Sequence, residues 1–247
     1  MTIESDRDLD GLRKAGRVVA LALAEMRAHV QPGMTTAELD AMGAAVFERH
    51  GAQSAPNIVY GFPGANCISI NDEVVHGVPG DRTINPGDLV KIDVTAELDG
   101  YMADAAVTVA LSPISKVHEH LQDCAEAAFR RAAAVARAGR PLNKIGRIVE
   151  TTVRREGFSV FPDFSGHGIG RTIHESPTIS NYYDGRLKTP LREGLVVTIE
   201  PIISAGSRRT VAARDGWTMK TTDGSPAAHY AHTIVITKGS PIVLTAA

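Results

Sequence analysis

The chain is poor in cysteine and has almost no net charge. Its 247 residues include two cysteines, Cys67 and Cys124, which lie far apart and form no CxxC pair. This excludes a disulfide framework and a cysteine zinc finger, and it favours a reducing compartment such as the cytoplasm. The formal net charge of −2 provides no basic surface for nucleic acid or for an anionic membrane.

Long apolar runs are also missing. No window approaches 18 uninterrupted apolar residues, and the first stretch, MTIESDRDLDGLRKAG, is charged. The sequence therefore predicts neither a transmembrane helix nor a signal peptide. With 43% hydrophobic and 22% charged residues, the composition is typical of a soluble globular protein. We expect a monomer, because no exposed apolar helix is predicted.

The hydrophobic pattern predicts four helices in two pairs. Apolar residues recur at helical spacing in each helix, and a break containing glycine and proline separates the members of each pair. The predicted helices cover about 6–30, 36–51, 117–138 and 145–157. A shift of 106 residues lays the first pair over the second, so that Gly51 falls on Gly157.

A strand-rich stretch follows each helix pair. The two stretches contain similar phrases, PGDLVKIDV at 86–94 and REGLVVTIEP at 192–201. This repeated order predicts two helix-helix-strand halves, at about 6–115 and 116–247, related by a pseudo-twofold axis around a shared sheet. A site near the axis would receive residues from both halves.

Two aspartates lie on a predicted β-hairpin. The segment LVKIDVTAELDGYMADAAVTV has its turn at Asp99-Gly100, so that position 93 pairs with 106 and position 95 with 104. Asp93 and Asp104 then share one face as diagonal neighbours. Two carboxylates on a half-buried face repel each other unless one is protonated or a cation lies between them. Exposed aspartates are the ordinary alternative, but the apolar residues around them favour an interior hairpin and a cation site.

The second half contains the other candidate site residues. In SGHGIGRTIHESP, at 165–177, His167 and His174 bracket glycines that let the backbone pass close to other atoms. Glu200 ends the apolar run VVTIEP, at the place that corresponds to Asp93, and a buried carboxylate there needs a partner. His76, in the loop NDEVVHGVPG of the first half, is by itself typical of a surface histidine.

In this order the segments resemble type I methionine aminopeptidases of the pita-bread metallopeptidase family. The matching phrases are CISINDEVVHGVPG, KIDVTAELDGYMAD, GHGIGRTIHESP, TIEP, DGWTMKT and YAHTIV, and they span nearly the whole chain. The resemblance implies one catalytic α+β domain over residues 1–247, with a curved, mainly antiparallel sheet. It also implies hydrolytic removal of the N-terminal methionine from peptides or nascent proteins in the cytoplasm, with the surroundings of the ribosome as one candidate place.

The resemblance assigns two metal ions to this centre. Asp93 would bind the second ion, Asp104 would bridge both, and His167 and Glu200 would bind the first. Glu200 could also help to relay a proton. Carboxylates with one imidazole favour Mn, Fe or Co.

The resemblance also assigns the residues that touch the substrate. His76 and His174 would contact the substrate amide and the developing oxyanion without binding metal. Tyr60 replaces a histidine that the family often has, and Ile173 replaces an aromatic residue. The walls of the methionine side-chain pocket would be Val59, Phe62, Cys67, Ile173 and Trp217, for which ordinary core packing is the alternative.

One expected ligand is missing. In the family, a glutamate that bridges the two ions occupies the position of Ala231 in YAHTIV. The first ion would keep Asp104, His167 and Glu200, which suffice for one catalytic metal. The second ion would keep Asp93 and also Asp104, which it has in common with the first ion. We therefore expect one firmly bound ion, a weak second site and reduced activity.

Four interpretations of Ala231 stay open. The chain is a weakened enzyme, or a degenerate relative that binds peptide N-termini or a partner without hydrolysis. It is a metal-independent enzyme like the creatine-cleaving relatives, which the retained ligands disfavour, or an active enzyme into which the alanine was introduced deliberately. His229, on the predicted strand 229–236, is a substitute ligand or, as we expect, either a residue beside the ligands or a partly exposed one.

Overall fold

The computed structural model describes residues 1–246. These residues form five helices. The helices are α1 Asp6–His29, α2 Thr36–Arg49, α3 Ala55–Tyr60, α4 Lys116–Val135 and α5 Asn143–Arg155. The four long ones confirm the predicted pairs, with ends that differ by a few residues. The short helix α3 was not predicted, because a single turn of six residues is too short to show a helical period.

Local sequence explains where α2 begins. The hydroxyl of Thr35 accepts a hydrogen bond from the backbone N–H of Glu38 at 3.1 Å, and the carboxylate of Glu38 accepts one from the N–H of Thr35 at 2.8 Å. This reciprocal pair is a capping box, which satisfies backbone donors that the helix itself leaves free. It confirms the predicted start of the second helix.

The described residues also form fifteen strands. They are β1 Gln53–Ser54, β2 Cys67–Ile70, β3 Glu73–Val75, β4 Leu89–Leu98, β5 Tyr101–Ala110, β6 Ser159–Val160, β7 Ser165–Gly168, β8 Glu175–Ser180, β9 Val196–Ile199, β10 Ile202–Ser204, β11 Thr210–Ala212, β12 Met219–Thr221, β13 Ala227–His229, β14 Ala231–Val235 and β15 Ile242–Val243. The main sheet has the order β1-β4-β5-β14-β9-β7-β8, with β2 beside β4 and β15 beside β14. Two small sheets, β13-β10-β6 and β11-β12-β3, flank it.

The central hairpin has the predicted register. Asp93 pairs with Ala106 and Thr95 pairs with Asp104 across β4 and β5. Asp99 and Gly100 form the turn with φ angles of 52° and 80°. Positive φ at both central residues is typical of the tight turn that matches the strand twist.

The helices cover the main sheet in two groups. Helices α1 and α2 pack against each other, and α1 packs on β4 and β5, while α4 and α5 form the second group. Two clusters of buried apolar side chains result, one under each helix pair. Among residues 1–246, no helix combines the length and the apolar character that a bilayer crossing requires.

The predicted single strand over 229–236 is wrong, because the chain changes sheets at Tyr230. His229 pairs with Ile202 in a small sheet, whereas Ala231 pairs with Ala106 in the main sheet. The backbone N–H of Tyr230 donates to the carbonyl of Pro201 at 3.2 Å and holds this corner.

Candidate metal centre

Strand register places Ala231 beside the two aspartates. Asp93 pairs with Ala106, and Ala106 pairs with Ala231, so the three side chains lie in a row on one face of the sheet. Asp104 lies two residues before Ala106 and therefore points to the same face. An acidic side chain at position 231 would thus project towards the same cation as both aspartates.

Three of the expected ligands come together. Asp104, His167 and Glu200 each offer one ligand atom, and these atoms lie within 4.8 Å of one another. Nε2 of His167 is 3.1 Å from Oε1 of Glu200. All three residues are buried. Asp93 lies next to Asp104 on the sheet but outside this triad.

The imidazole of His167 is held in one tautomer. Its Nδ1 lies 2.8 Å from the carbonyl oxygen of Gly168, and a carbonyl can only accept a hydrogen bond. The proton of the neutral ring is therefore on Nδ1, and the lone pair of Nε2 faces the cluster. A Cβ on Gly166 would come within 2.4 Å of the carbonyl oxygen of Thr198, so only glycine lets β7 approach β9 this closely.

The carboxylates of the first half have oxygen atoms without partners. Oδ2 of Asp104 accepts a hydrogen bond from Thr95 at 3.0 Å. Oδ1 of Asp104 and Oδ1 of Asp93 are buried and have no hydrogen-bond partner among the described residues. Leaving such atoms unpaired is costly, and a divalent cation would satisfy both. The residues present therefore fit a metal ion.

The charges of the cluster are strongly coupled. Burial, followed by the charges of Asp93 and Glu200, raises the pKa of Asp104 well above its usual value. Burial also raises the pKa of Asp93 to about 6, although the proximity of His229 opposes this shift. Burial works against the charged form of His167, but the carboxylate of Glu200 raises its pKa to about 9. The cluster thus holds protons that a bound cation would displace.

The pKa of Glu200 is shifted in the opposite direction to the pKa values of the two aspartates. Burial raises its pKa, but the imidazoles of His167 and His229 outweigh burial and lower the pKa below its usual range. The hydroxyl of Thr198 also donates a hydrogen bond to Oε1 of Glu200. Glu200 is therefore the carboxylate that stays ionised at any neutral pH.

The centre opens into a cavity of about 570 Å³. His76 and His174, the two expected substrate-contacting histidines, both line it. The ring centroids of His174 and His167 are 4.2 Å apart. Nδ1 of His174 lies 2.6 Å from the hydroxyl of Tyr60, a contact that the sequence did not predict. Burial, followed by the charge of His167, lowers the pKa of His174 to about 4.

Four of the five expected pocket residues line the same cavity, and they are Phe62, Cys67, Ile173 and Trp217. The rings of Phe62 and Trp217 meet edge to face with their centroids 5.3 Å apart. The structure differs from the expectation at Val59, which is 42% exposed and is not part of the cavity wall. Val59 lies on α3, where the next residue, Tyr60, is turned by about 100° and takes the place in the wall.

His229 is more deeply buried than we expected. Its side chain lines the cavity, is 2% exposed overall and approaches Glu200. The alternative of a partly exposed residue is therefore wrong, whereas a position beside the expected ligands agrees with the structure. The signal that could have revealed this is Thr108, whose hydroxyl binds the backbone of His229, but such a pairing across 121 residues is not visible in the sequence.

Comparisons with known proteins agree with this geometry. The family model of metallopeptidase family M24 matches residues 10–238. Methionine aminopeptidase 2 of Bacillus subtilis (strain 168) is 46% identical over 247 residues, which cover 99% of each chain. The crystal structure of methionine aminopeptidase from Thermotoga maritima superposes with a TM-score of 0.97 at 35% identity over all of both chains. That from Rickettsia prowazekii gives 0.95 at 35% identity, over 99% of this chain and 100% of that one.

These similarities confirm two predictions. The resemblance to methionine aminopeptidases holds over the full length of the chain. The fold is the pita-bread fold, with a mainly antiparallel sheet shared by the two groups of helices.

Proposed function

The chain belongs to metallopeptidase family M24, and from this premise we propose that it removes the N-terminal methionine from peptides and nascent proteins. We expect it to act as a monomer in the cytoplasm, with chains emerging at the ribosome among its substrates. The observation that carries the proposal is the buried triad of Asp104, His167 and Glu200 at the floor of a cavity of about 570 Å³.

The triad would hold one divalent ion, and Mn, Fe or Co suits its oxygen and imidazole donors. The ion would supply a water nucleophile at neutral pH and polarise the scissile carbonyl. Asp93, together with a share of Asp104, would hold a second ion more weakly. This asymmetry follows from Ala231, which offers no donor atom on the face where a bridging carboxylate would lie.

His174 is suited to donate a hydrogen bond to the developing oxyanion. Its pKa of about 4 keeps the imidazole neutral at pH 7. The hydroxyl of Tyr60 can donate to Nδ1, which leaves the ring proton on Nε2. Burial raises the pKa of Tyr60, so that the phenol keeps this proton. His76, which also lines the cavity, would contact the substrate amide.

The cavity wall fits an unbranched apolar side chain. Phe62, Trp217 and Ile173 provide apolar surface, and burial raises the pKa of Cys67 well above its usual value, so its thiol stays neutral. A methionine side chain would bury its thioether against the two aromatic rings, an arrangement that sulfur favours.

The test is hydrolysis of matched tripeptides. The purified chain is incubated with Met-Ala-Ser, Leu-Ala-Ser and N-acetyl-Met-Ala-Ser in the presence of Co²⁺, Mn²⁺ or Fe²⁺. We expect release of methionine from the first peptide only and loss of release on addition of a chelator. Asp104→Asn should lower kcat/KM by roughly 1000-fold, and His232→Gln, on the opposite face of β14, should leave it nearly unchanged.

The opposite result would favour a different function. If the chain binds Met-Ala-Ser in a calorimeter but neither it nor Ala231→Glu releases methionine with any of the three metals, hydrolysis is ruled out. The chain would then be a protein that binds peptide N-termini without cleaving them.

A further inference from the structure

His229 presents an unpartnered nitrogen to the metal centre. Its Nε2 is buried, lacks a hydrogen-bond partner among the described residues and lies 3.6 Å from Oε2 of Glu200. Among residues 1–246, four buried side-chain atoms lack such a partner, and the other three belong to Asn66, Asp93 and Asp104. Three of the four atoms are thus at this one centre. Unpaired polar atoms that cluster in this way indicate a shared missing partner.

The distance from His229 to Glu200 fits two ligands of one ion. Nitrogen and carboxylate ligands lie about 2.1 Å from a divalent ion such as zinc, so two of them at angles of about 90–120° are roughly 3.0–3.6 Å apart. The observed 3.6 Å is at the upper end of this range and beyond a good hydrogen bond. On the other side of Glu200, Nε2 of His167 is 3.1 Å from Oε1. An imidazole nitrogen therefore lies near each oxygen of this carboxylate.

The backbone of His229 is held in place from two sides. Its N–H donates to the hydroxyl of Thr108 at 2.9 Å, and the same hydroxyl donates to its carbonyl oxygen at 2.8 Å. Thr108 lies on the face of β5 that also carries Asp104. On the other side, His229 pairs with Ile202, two residues after Glu200. The imidazole therefore reaches Glu200 from a strand whose position is fixed on both sides.

Building on the function proposed above, we propose that His229 is a ligand of this metal centre and supplies the donor that Ala231 lacks. The centre then has two imidazoles, His167 and His229, with the carboxylates of Asp93, Asp104 and Glu200. Imidazole suits iron and zinc better than manganese, whereas carboxylates suit manganese. The exchange of a carboxylate for an imidazole therefore shifts the preference of this chain from Mn²⁺ towards Fe²⁺, Co²⁺ or Zn²⁺.

The number of bound imidazoles tests the proposal directly. In the full chain loaded with one equivalent of Co²⁺, each bound imidazole gives one solvent-exchangeable N–H proton resonance shifted far from the diamagnetic region. We expect two such resonances in the intact chain, one in His229→Gln and two in His232→Gln. A single resonance in the intact chain would overturn the proposal, and this result requires no variant to fold.

Metal affinity gives a second, independent measurement. We expect His229→Gln to weaken the Kd for Co²⁺ by about 10- to 100-fold, measured by calorimetric titration, and His232→Gln to change it little. Thermal unfolding of the metal-free proteins, followed by circular dichroism, shows that each variant is folded. An unchanged Kd in folded His229→Gln contradicts a ligand role.

A double substitution tests whether His229 stands in for the missing glutamate. In an Ala231→Glu background, His229→Gln should cost less Co²⁺ affinity than it does in the intact chain, because the new carboxylate supplies the donor. An equal cost in both backgrounds would refute the compensation.

The same measurements separate this proposal from the proposed function. Two shifted resonances without release of methionine would support the ligand role and contradict the peptidase function. Release of methionine together with a single shifted resonance would support the peptidase function and contradict the ligand role of His229.

Discussion

The two halves of the chain bring different kinds of ligand to the same centre. Asp93 and Asp104, from the first half, each leave a buried carboxylate oxygen without a hydrogen-bond partner. Glu200, from the second half, has the imidazole nitrogens of His167 and His229 beside its two oxygens. The imidazole of His167, whose pKa is raised to about 9, thus offsets the charge of Glu200 within the second half, whereas the first half depends on a cation from outside. When the centre holds no metal ion, the carboxylates of the hairpin β4-β5 therefore destabilise the folded protein more than Glu200 does.

Introducing an acidic residue at position 231 should produce the largest change in how the two halves bind metal. In Ala231→Glu, the new carboxylate would face the same cation as Asp93 and Asp104, because the three positions share one face of the sheet. We expect the affinity for a second Co²⁺ to rise by about 10- to 100-fold, measured by calorimetric titration. Ala231→Gln is the matched neutral control and should gain much less. If both variants bind the second ion as weakly as the intact chain, the first half does not lack a ligand there.

Removing one carboxylate from the first half should stabilise the metal-free protein. The pKa of Asp93 is raised to about 6, so the folded state holds a proton that the unfolded state releases near pH 4. The stability of the metal-free chain therefore falls as the pH rises from about 4 to 6. We expect Asp93→Asn to raise the free energy of unfolding at pH 8 by roughly 1–3 kcal/mol and to have little effect at pH 4.

Urea unfolding of the chelator-treated proteins measures this difference. The exposed Asp81→Asn is the control and should show no such gain. A destabilised Asp93→Asn at pH 8 would mean that the carboxylate is satisfied within the protein, contrary to the comparison between the halves. In saturating Co²⁺, Asp93→Asn should instead be less stable than the intact chain. Only the intact chain then has the carboxylate of Asp93 to bind the ion, and binding to the folded state stabilises it.

Away from the centre, a histidine of the second half should show the opposite dependence on pH. His232 is buried beside Thr245 and Phe129, and burial lowers its pKa to about 4. The unfolded state binds a proton below about pH 6.5 and the folded state does not, so this group lowers stability as the pH falls from about 6.5 to 4. At pH 5 the loss is about 2 kcal/mol relative to pH 8.

The test is the pH slope of the free energy of unfolding in His232→Gln. The slope between pH 5 and 7 should be shallower than in the intact chain, whatever the change in absolute stability. His50→Gln, on the exposed end of α2, is the control and should keep the slope. Parallel slopes in the intact chain and His232→Gln would show that folding does not lower the pKa of His232.

The smallest effect should come from the hydrogen bond that joins the two halves at the mouth of the cavity. Tyr60→Phe removes the partner of Nδ1 in His174, and the loss of about 1 kcal/mol corresponds to roughly a fivefold fall in kcat. KM should change little, because the hydroxyl orients His174 rather than contacting methionine. Tyr183→Phe, an exposed tyrosine that lies outside the cavity, is the control. A change in KM alone would place Tyr60 in substrate binding instead.

Local patterns in the sequence were sufficient for much of the framework. The start of the second helix near residue 36, the turn at Asp99-Gly100 and the register of Asp93 with position 106 depend on neighbouring residues, and the structure has all three. Periodicity showed which faces of the helices are buried. The repeated order of elements placed acids of the first half and His167 and Glu200 of the second in one region, because a twofold arrangement brings equivalent strands together.

The tertiary structure alone decided how the remaining side chains meet. Periodicity tells which residues of a strand share a face, but it does not tell which sheet the strand joins. The corner at Tyr230 therefore hid which sheet His229 joins and how deeply its side chain is buried. The contact between Tyr60 and His174 joins residues 114 positions apart, and only the packing of α3 over the cavity creates it. Residues far apart in the chain come into contact through the packing of whole elements, and a linear pattern contains no record of that packing.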